Sequence, residues 1–329
     1  MAFRAALVAQ DALQYFLRPD QENIFLRVSD VLVRVNLGPE IFSRFIRLST
    51  NSQWSHAALL YLMNDPREGF DNMFVLEAMN GAGVRVVSWK GEVTPYDKFT
   101  VGVRQLQLDW YKESAYEAAS HDPKDPEDIA GIWYLRRVRG MALDQINAMF
   151  DEGTIGELTA LYVERLAGQS KLPFLFKIAA WFVQLIRSRG QADPTPRFIC
   201  SGLVQYSFFA ALRQNIIDGF ASDQPGDHDI ALSNLDNMHH VIFRPDPDGI
   251  IASYVQQVKS GELKPDSPVP GNVEDFLRTT TPADFSRSPN LQWRYVIRAG
   301  KVWEIFDDAP ADYKPQSPDE AAVLNLMSP

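Results

Sequence analysis

The stretch RFICSGLVQYSFFAAL, residues 197–212, joins a short apolar run to a helical pattern and carries the only cysteine of the chain at the junction. Pro194 and Pro196 precede it, and apolar residues then recur at helical spacing on one face, namely Leu203, Val204, Phe208, Ala211 and Leu212. This pattern predicts a helix from Cys200 to about Arg213. At a helix N-terminus, unpaired N–H groups and the helix dipole favour a thiolate and can bind an oxyanion. Cys200 is therefore a candidate nucleophile, although a lone cysteine is as often a small buried hydrophobe.

Two polar residues interrupt apolar runs that precede the cysteine. His56 opens the run AALLY, residues 57–61, and Glu77 lies within the run FVLEA, residues 74–78. If the two runs pair as a hairpin, Glu77 can sit beside His56 and accept a hydrogen bond from its ring, which fixes the tautomer. The competing interpretations are a core histidine bonded to the backbone and an edge-strand glutamate that faces water. The residues alone leave both open.

Composition limits the class of protein. The chain has 329 residues, of which 46% are hydrophobic, and a formal net charge of −10. An acidic surface disfavours a nucleic-acid partner, and one thiol can form neither an internal disulfide nor a four-thiolate zinc site. The sequence contains no glycine loop for phosphate, no Gly-x-Ser-x-Gly and no His-Glu-x-x-His, so no cofactor and no metal are predicted. We recognise no membrane-spanning run and no secretory signal, which predicts a cytoplasmic protein.

The residues before position 109 are rich in strand patterns. A strand is predicted over 24–35 and a helix over 39–49. The next four strands are predicted to form an antiparallel meander, over residues 55–62, 73–78, 84–89 and 100–106. Together with the cysteine helix, these patterns predict an α+β fold in which an antiparallel sheet packs on that helix.

Residues 109–196 change character and predict a helical insertion. Its helices are predicted over residues 126–139, 144–150, 155–166 and 172–188. The segment 171–189, KLPFLFKIAAWFVQLIRSR, is apolar over most of its surface with cations at both ends. It fits a buried helix, or one that binds acyl chains or contacts a membrane surface. We expect the insertion to form one wall of the active-site cleft, because loops between catalytic elements commonly shape the pocket.

The residues after the cysteine helix complete the predicted domain. They indicate a strand over 240–244, and a hairpin over 293–306 that turns at Ala299 and Gly300. Residues 307–329 are rich in Pro and Asp and are expected to form a flexible tail. We therefore expect one catalytic domain over 1–329, with its core at about 24–108 and 197–306.

Three groups of residues occur in an order that resembles a known family. They are DVLVR at 30–34 leading to QWSHAA at 53–58, VLEA at 75–78 with GVR at 83–85, and FICSGLV at 198–204. With the histidine strand before the cysteine helix, the chain resembles the permuted papain-like hydrolases of the YiiX-type branch of the NlpC superfamily, and also the lecithin:retinol acyltransferase fold. The segment TPADFSRS at 281–288 is similar as well. The chain departs from the pattern at Gly202, where members often carry an acid, and at Ser29, where they often carry a glycine.

The resemblance implies a permuted papain-like fold, with Cys200 as nucleophile, His56 as base and Glu77 as the residue that orients the histidine. Candidates for oxyanion or substrate contacts are Ser55, Gln53 and Ser201. The implied reaction is hydrolysis of a peptide amide, including amides of the cell-wall type, through a thioester. A lipid esterase, phospholipase or acyltransferase with the same three residues is the alternative, with peripheral membrane contact. An inactive binding module that uses the same cleft is a third class.

Overall fold

The chain is described here as a computed structural model, which covers residues 3–11, 27, 29–36, 46–48, 50–62, 73–79, 82–89, 99–122, 128–146, 148–150 and 197–327. The predicted helices over 155–166 and 172–188 lie outside these residues, and so does the whole segment 171–189. Most of the predicted helix over 39–49 and the first part of the predicted strand over 24–35 also lie outside them.

Eight strands form one antiparallel sheet in the described part of the chain. Their bounds are β1 Arg4–Ala9, β2 Val31–Asn36, β3 His56–Leu62, β4 Met73–Met79, β5 Gly83–Ser88, β6 Phe99–Leu106, β9 Leu291–Arg298 and β10 Lys301–Phe306. Two short strands, β7 Met149–Phe150 and β8 Arg197–Phe198, pair in parallel. The order in the large sheet is β1-β10-β9-β6-β2-β3-β4-β5, and each neighbouring pair is antiparallel. The predicted α+β class with an antiparallel sheet is therefore confirmed.

The longest described helix carries the cysteine and packs on this sheet. The helices are α1 Ala115–Ala119, α2 Ile132–Leu143, α3 Cys200–Ala221, α4 Asp227–Asp236, α5 Ile250–Lys259, α6 Gly271–Arg278, α7 Pro282–Arg287 and α8 Pro318–Leu324. α3 begins at the predicted residue and runs eight residues further than the predicted end near Arg213. Its apolar side chains share one core with the sheet, as shown by Leu59, Leu76, Val204 and Phe208. A second core cluster contains the alternate residues of the same strands, including Leu32, Leu60 and Val75.

The prediction of a four-strand meander is wrong for its last strand. β6 pairs with β2 and not with β5. The prediction joined strands in chain order, whereas β2 lies between β3 and β6. Residues 31–33 and 35 of β2 are all buried, with Val31 and Val33 in one core cluster and Leu32 in the other. A strand that is apolar on both faces takes a central place in a sheet, because only there are both faces covered.

The predicted hairpin over 293–306 is confirmed as β9 and β10. Its turn residues, Ala299 and Gly300, both have positive φ, at 50° and 74°. Two-residue turns of this kind match the right-handed twist of the flanking strands. The sequence did not reveal β1, which pairs with the outer edge of β10 and places Arg4 opposite Phe306.

The described part of the predicted insertion belongs to the main core. α2 packs against α3, and the hydroxyl of the buried Tyr134 donates to the carbonyl of Phe208 at 2.9 Å. The predicted helix over 144–150 is wrong, because the chain turns after α2 and then forms β7. Pairing of β7 with β8, together with a bond from the Val84 N–H to the Ala148 carbonyl at 3.0 Å, outweighs local helix propensity. Residues 148–150 therefore lie beside the strand that leads into Cys200.

The predicted strand over 240–244 is also wrong. Residues Met238–Val241 form a 3₁₀ helix instead. The buried side chain of Gln205 on α3 donates to the carbonyl of Val241 at 2.7 Å and accepts from the N–H of Phe243 at 2.9 Å. These bonds satisfy backbone groups that a neighbouring strand would otherwise have to pair.

Residues 307–327, the described part of the segment expected to be a flexible tail, pack against the rest of the domain. They form α8, and Val323, Leu326 and Met327 are buried in the main core. The indole N–H of the fully buried Trp54 donates to the carbonyl of Leu326 at 3.0 Å. The buried carboxylate of Glu320 accepts from the N–H of Ala5 in β1 at 3.2 Å. The sequence did not predict this packing, because only a few residues of the polar segment are apolar and buried.

Candidate active site

The candidate catalytic residues gather where β3 and β4 part. The ladder between the two strands stops at Leu59 and Leu76, so the first residues of β3 are not paired with β4. His56 is the first residue of β3, and Glu77 follows the last residue of β4 that pairs with β3. α3 contacts both strands, and Cys200 is its first residue. The first residue of α3 thus lies beside the part of β3 and β4 where these strands no longer pair with each other.

His56 connects the other two side chains. Its Nε2 atom lies 2.8 Å from Oε2 of Glu77. The ring also interacts with the sulfur of Cys200, through its charge and through a hydrogen bond between the two side chains. The structure therefore brings the three predicted residues together in one row, with the histidine between the thiol and the carboxylate.

Burial and charge act against each other at Cys200. The residue is 4% exposed, and burial alone would raise the pKa of its thiol. The charge of His56, the hydrogen bond to the His56 ring, and the backbone N–H groups of Ala57 and Ser201 outweigh burial. The pKa of Cys200 is therefore lowered below that of an ordinary cysteine, which favours a thiolate.

The same balance holds the histidine charged and the glutamate ionised. Burial and the charge of Arg34 both lower the pKa of His56. The charge of Cys200 and the hydrogen bonds to Cys200 and Glu77 outweigh them and raise this pKa to about 9. Burial also opposes the Glu77 carboxylate, which has no exposed surface. The hydrogen bond and charge of His56, with help from Arg34 and Arg85, lower the pKa of Glu77 to about 2. The three pKa shifts all favour the charged forms, namely a thiolate, an imidazolium and a carboxylate.

The start of α3 presents backbone N–H groups to the site. Ile199 is the N-cap residue and makes no side-chain capping bond, so no N-cap side chain occupies the N–H groups of the first turn. One of these groups, the N–H of Ser201, is directed to the sulfur. The N–H of Ala57 approaches the sulfur from β3, at the position where β4 no longer pairs with that strand.

The three residues predicted to contact an oxyanion or substrate have different surroundings. Ser55 is buried, and its hydroxyl donates to the carbonyl of Arg34 at 3.4 Å. Gln53 is exposed, and its amide donates to the carbonyl of Asn325 at 3.4 Å. The structure therefore commits both donors to backbone carbonyls. Ser201 is fully buried, and its hydroxyl has no hydrogen-bond partner among the described residues.

Sequence reasoning missed three groups that act on the site. The N–H of Ala57 could not be foreseen, because it depends on where the ladder between β3 and β4 ends. Arg34 is buried opposite His56, and its charge lowers the pKa of both His56 and Glu77. Arg85 pairs directly with Glu77 across the β4–β5 hairpin. Counting residues back from the end of the hairpin, where Met79 pairs with Gly83, would have found this last pair.

The two departures from the family pattern have structural explanations. A side-chain carbon at Gly202 would lie 2.7 Å from the carbonyl oxygen of Arg278 at the end of α6, so an acidic residue does not fit there. Ser29 has φ of 65°, a conformation that glycine adopts without strain. Its hydroxyl donates to the carbonyl of Leu135 in α2 at 2.7 Å, and its N–H donates to the carbonyl of Leu60 at 2.8 Å. These bonds hold the serine in the strained conformation.

Comparison with known proteins adds no relative. No family model matches the sequence, and no curated protein matches it either. Within the described ranges, no three His, Cys, Asp or Glu side chains are grouped so that they could hold a metal ion. None of the helices in that same part of the chain is both long and apolar enough to cross a membrane.

Proposed function

We propose that the chain is a cysteine hydrolase of the permuted papain-like kind, which cleaves an amide bond through a thioester acyl-enzyme. The observation that carries the proposal is the His56 ring held between the sulfur of Cys200 and the carboxylate of Glu77, at the first residue of α3. A nucleophile, a base and an orienting acid in this row are the parts that acyl transfer needs.

Each residue has a defined task in the proposed reaction. The Cys200 thiolate attacks the carbonyl carbon of the amide, and the oxyanion that forms is stabilised by N–H groups at the start of α3. The His56 imidazolium gives its proton to the leaving nitrogen as the carbon–nitrogen bond breaks, which leaves a thioester on Cys200. Water then attacks the thioester while His56 accepts its proton, so the acid product leaves and the thiol–histidine pair is restored. Glu77 stabilises the charged ring throughout.

Amide hydrolysis is preferred to ester or acyl-transfer chemistry on the resemblance alone. An apolar groove along residues 171–189 would favour lipid acyl substrates. This segment lies outside the described residues, so it does not bear on the choice. Both classes use the same attack by Cys200, so only substrates can separate them. An inactive binding module has no chemical need for an ionised thiol beside an imidazolium.

The test uses the fact that Cys200 is the only thiol in the chain. Native protein is treated with iodoacetamide at pH 6 to 7, and the rate is compared with that of the urea-unfolded chain; Cys200→Ala is the blank. Faster alkylation of the native thiol supports the proposal, since burial alone would slow it. A native rate below the unfolded rate favours the binding module. The same protein is then screened on muropeptides, amino-acid amides and phospholipids. Turnover of phospholipids alone would overturn the choice of an amide.

A further inference from the structure

Arg85 makes a two-donor contact with the carboxylate that orients the histidine. Its Nε lies 2.9 Å and its Nη2 lies 2.6 Å from Oε1 of Glu77. The other oxygen of Glu77, Oε2, is the one that contacts His56. Each carboxylate oxygen thus has its own partner.

The backbone sets this contact. Glu77 on β4 and Arg85 on β5 are directly opposite each other in the antiparallel ladder, where side chains leave the sheet on the same face. β5 is an outer strand of the sheet, and the side chain of Arg85 is 42% exposed while that of Glu77 is fully buried. Arg85 therefore reaches from the solvent side over a carboxylate that water does not reach.

Because Arg85 contacts one oxygen of Glu77 and His56 contacts the other, the carboxylate is restricted in its rotation. A buried carboxylate must have both oxygens satisfied. With Oε1 held by two N–H groups, rotation about the last side-chain bond of Glu77 would break both contacts at once. A guanidinium is suited to this task because its donors form a rigid, planar fork, which a lysine ammonium lacks.

We propose that Arg85 is a positioning residue: it holds Glu77 in the rotation that presents Oε2 to His56, and through Glu77 and His56 it maintains the charged pair with Cys200. This inference rests on the proposed function, since it concerns the same row of residues. It adds a fourth member, which contacts neither the thiol nor the histidine.

The experiment compares Arg85→Met and Arg85→Lys with wild type, and uses Arg4→Met as a matched control. Arg4 makes a similar two-donor contact with Asp308 from the outer strand at the opposite edge of the sheet, and its side chain is 37% exposed. Thiolate is followed by absorbance at 240 nm against pH, with Cys200→Ala as blank, and the His56 ring is titrated by NMR. Iodoacetamide gives the reactivity at pH 7, and circular dichroism checks that each variant is folded.

We expect Arg85→Met to reduce the iodoacetamide rate at pH 7 by about tenfold, the effect of losing one charge-assisted contact. The pKa of Cys200 should rise and the pKa of His56 should fall, because a freely rotating Glu77 stabilises the imidazolium less. Loss of a positive charge alone would instead raise the pKa of His56, so the direction of this change separates positioning from simple electrostatics. Arg85→Lys should change both pKa values in the same directions by less, and Arg4→Met should change neither.

A double-mutant cycle separates an effect that acts through Glu77 from a general destabilisation of the fold by Arg85→Met. In a Glu77→Ala background, Arg85→Met should have no further effect on the His56 pKa, because the group that it positions is gone. An additive effect in that background overturns the inference, as does a His56 pKa that rises or stays constant in Arg85→Met. Wild-type protein without a thiolate at pH 7 overturns the proposed function, and this inference with it. A wild-type thiolate that Arg85→Met leaves unchanged overturns this inference alone.

Discussion

Replacement of His56 by alanine tests whether the histidine ionises the thiol. In the structure, the charge and the hydrogen bond of His56 are the largest factors that lower the pKa of Cys200, and burial opposes them. Without the imidazolium, burial of the 4% exposed residue should place the thiol pKa above the ordinary value. A cysteine with a pKa of about 8.5 is only about 3% ionised at pH 7. If the wild-type thiol is fully ionised at that pH, the thiolate signal should therefore fall by roughly 30-fold or more.

The assay is absorbance at 240 nm as a function of pH, with Cys200→Ala subtracted. Because the pKa of His56 is raised to about 9, the wild-type charged pair should persist up to that pH and then lose the imidazolium proton. His240→Ala serves as the control, since His240 stacks on Trp110 outside the row. A His56→Ala protein that keeps its thiolate at pH 7 would show that the helix N-terminus alone ionises Cys200, and would refute the assigned role of the histidine.

Three further outcomes follow from other contacts. Glu77→Gln should lower the pKa of His56, because the hydrogen bond to Glu77 raises it, and an unchanged NMR titration of the ring would contradict the contact. Leu326→Ala should reduce the free energy of unfolding in urea by about 2 kcal/mol or more, the usual cost of emptying a buried leucine site, whereas a loose tail would give no change. Burial raises the pKa of Asp30 to about 6, so the folded protein holds this proton more tightly than the unfolded chain, and stability from this group is lost as pH rises from about 4 to 6. The difference in unfolding free energy between Asp30→Asn and wild type should therefore increase over that range and stay constant above it; a difference that is flat with pH would contradict the assignment.

The parts of the site that could be predicted from sequence are those set by local patterns. A polar residue inside an apolar run, as at His56 and Glu77, needs a partner when it is buried, and a cysteine at the start of a helical pattern is a candidate nucleophile. These constraints act within a few residues of the chain. They made these residues candidates, and the family resemblance selected the three side chains that the structure brings into contact.

The parts that could not be predicted depend on contacts between distant segments. β6 pairs with β2 because that strand is central, which chain order does not reveal. The N–H of Ala57 is available to the sulfur only because the β3–β4 ladder stops early. Residues 307–329 were predicted to form a tail because they are rich in Pro and Asp, yet Val323 and Leu326 are buried. In each case tertiary packing outweighs what the local composition indicates.

The connection between Trp54 and Leu326 has a consequence for the order of events during synthesis. The carbonyl that receives the Trp54 indole N–H is 272 residues further along the chain, and the Trp54 indole lies two residues before His56. β1 likewise cannot pair until β10 has been synthesised, because Arg4 is opposite Phe306 in their ladder. Contacts between such distant residues form late, since a long loop must close before they contribute any stability. We therefore expect a ribosome-bound chain that ends before α8 to carry an unfinished β3 and a thiol without its histidine, so that reactivity arises only after nearly all of these residues have left the exit tunnel.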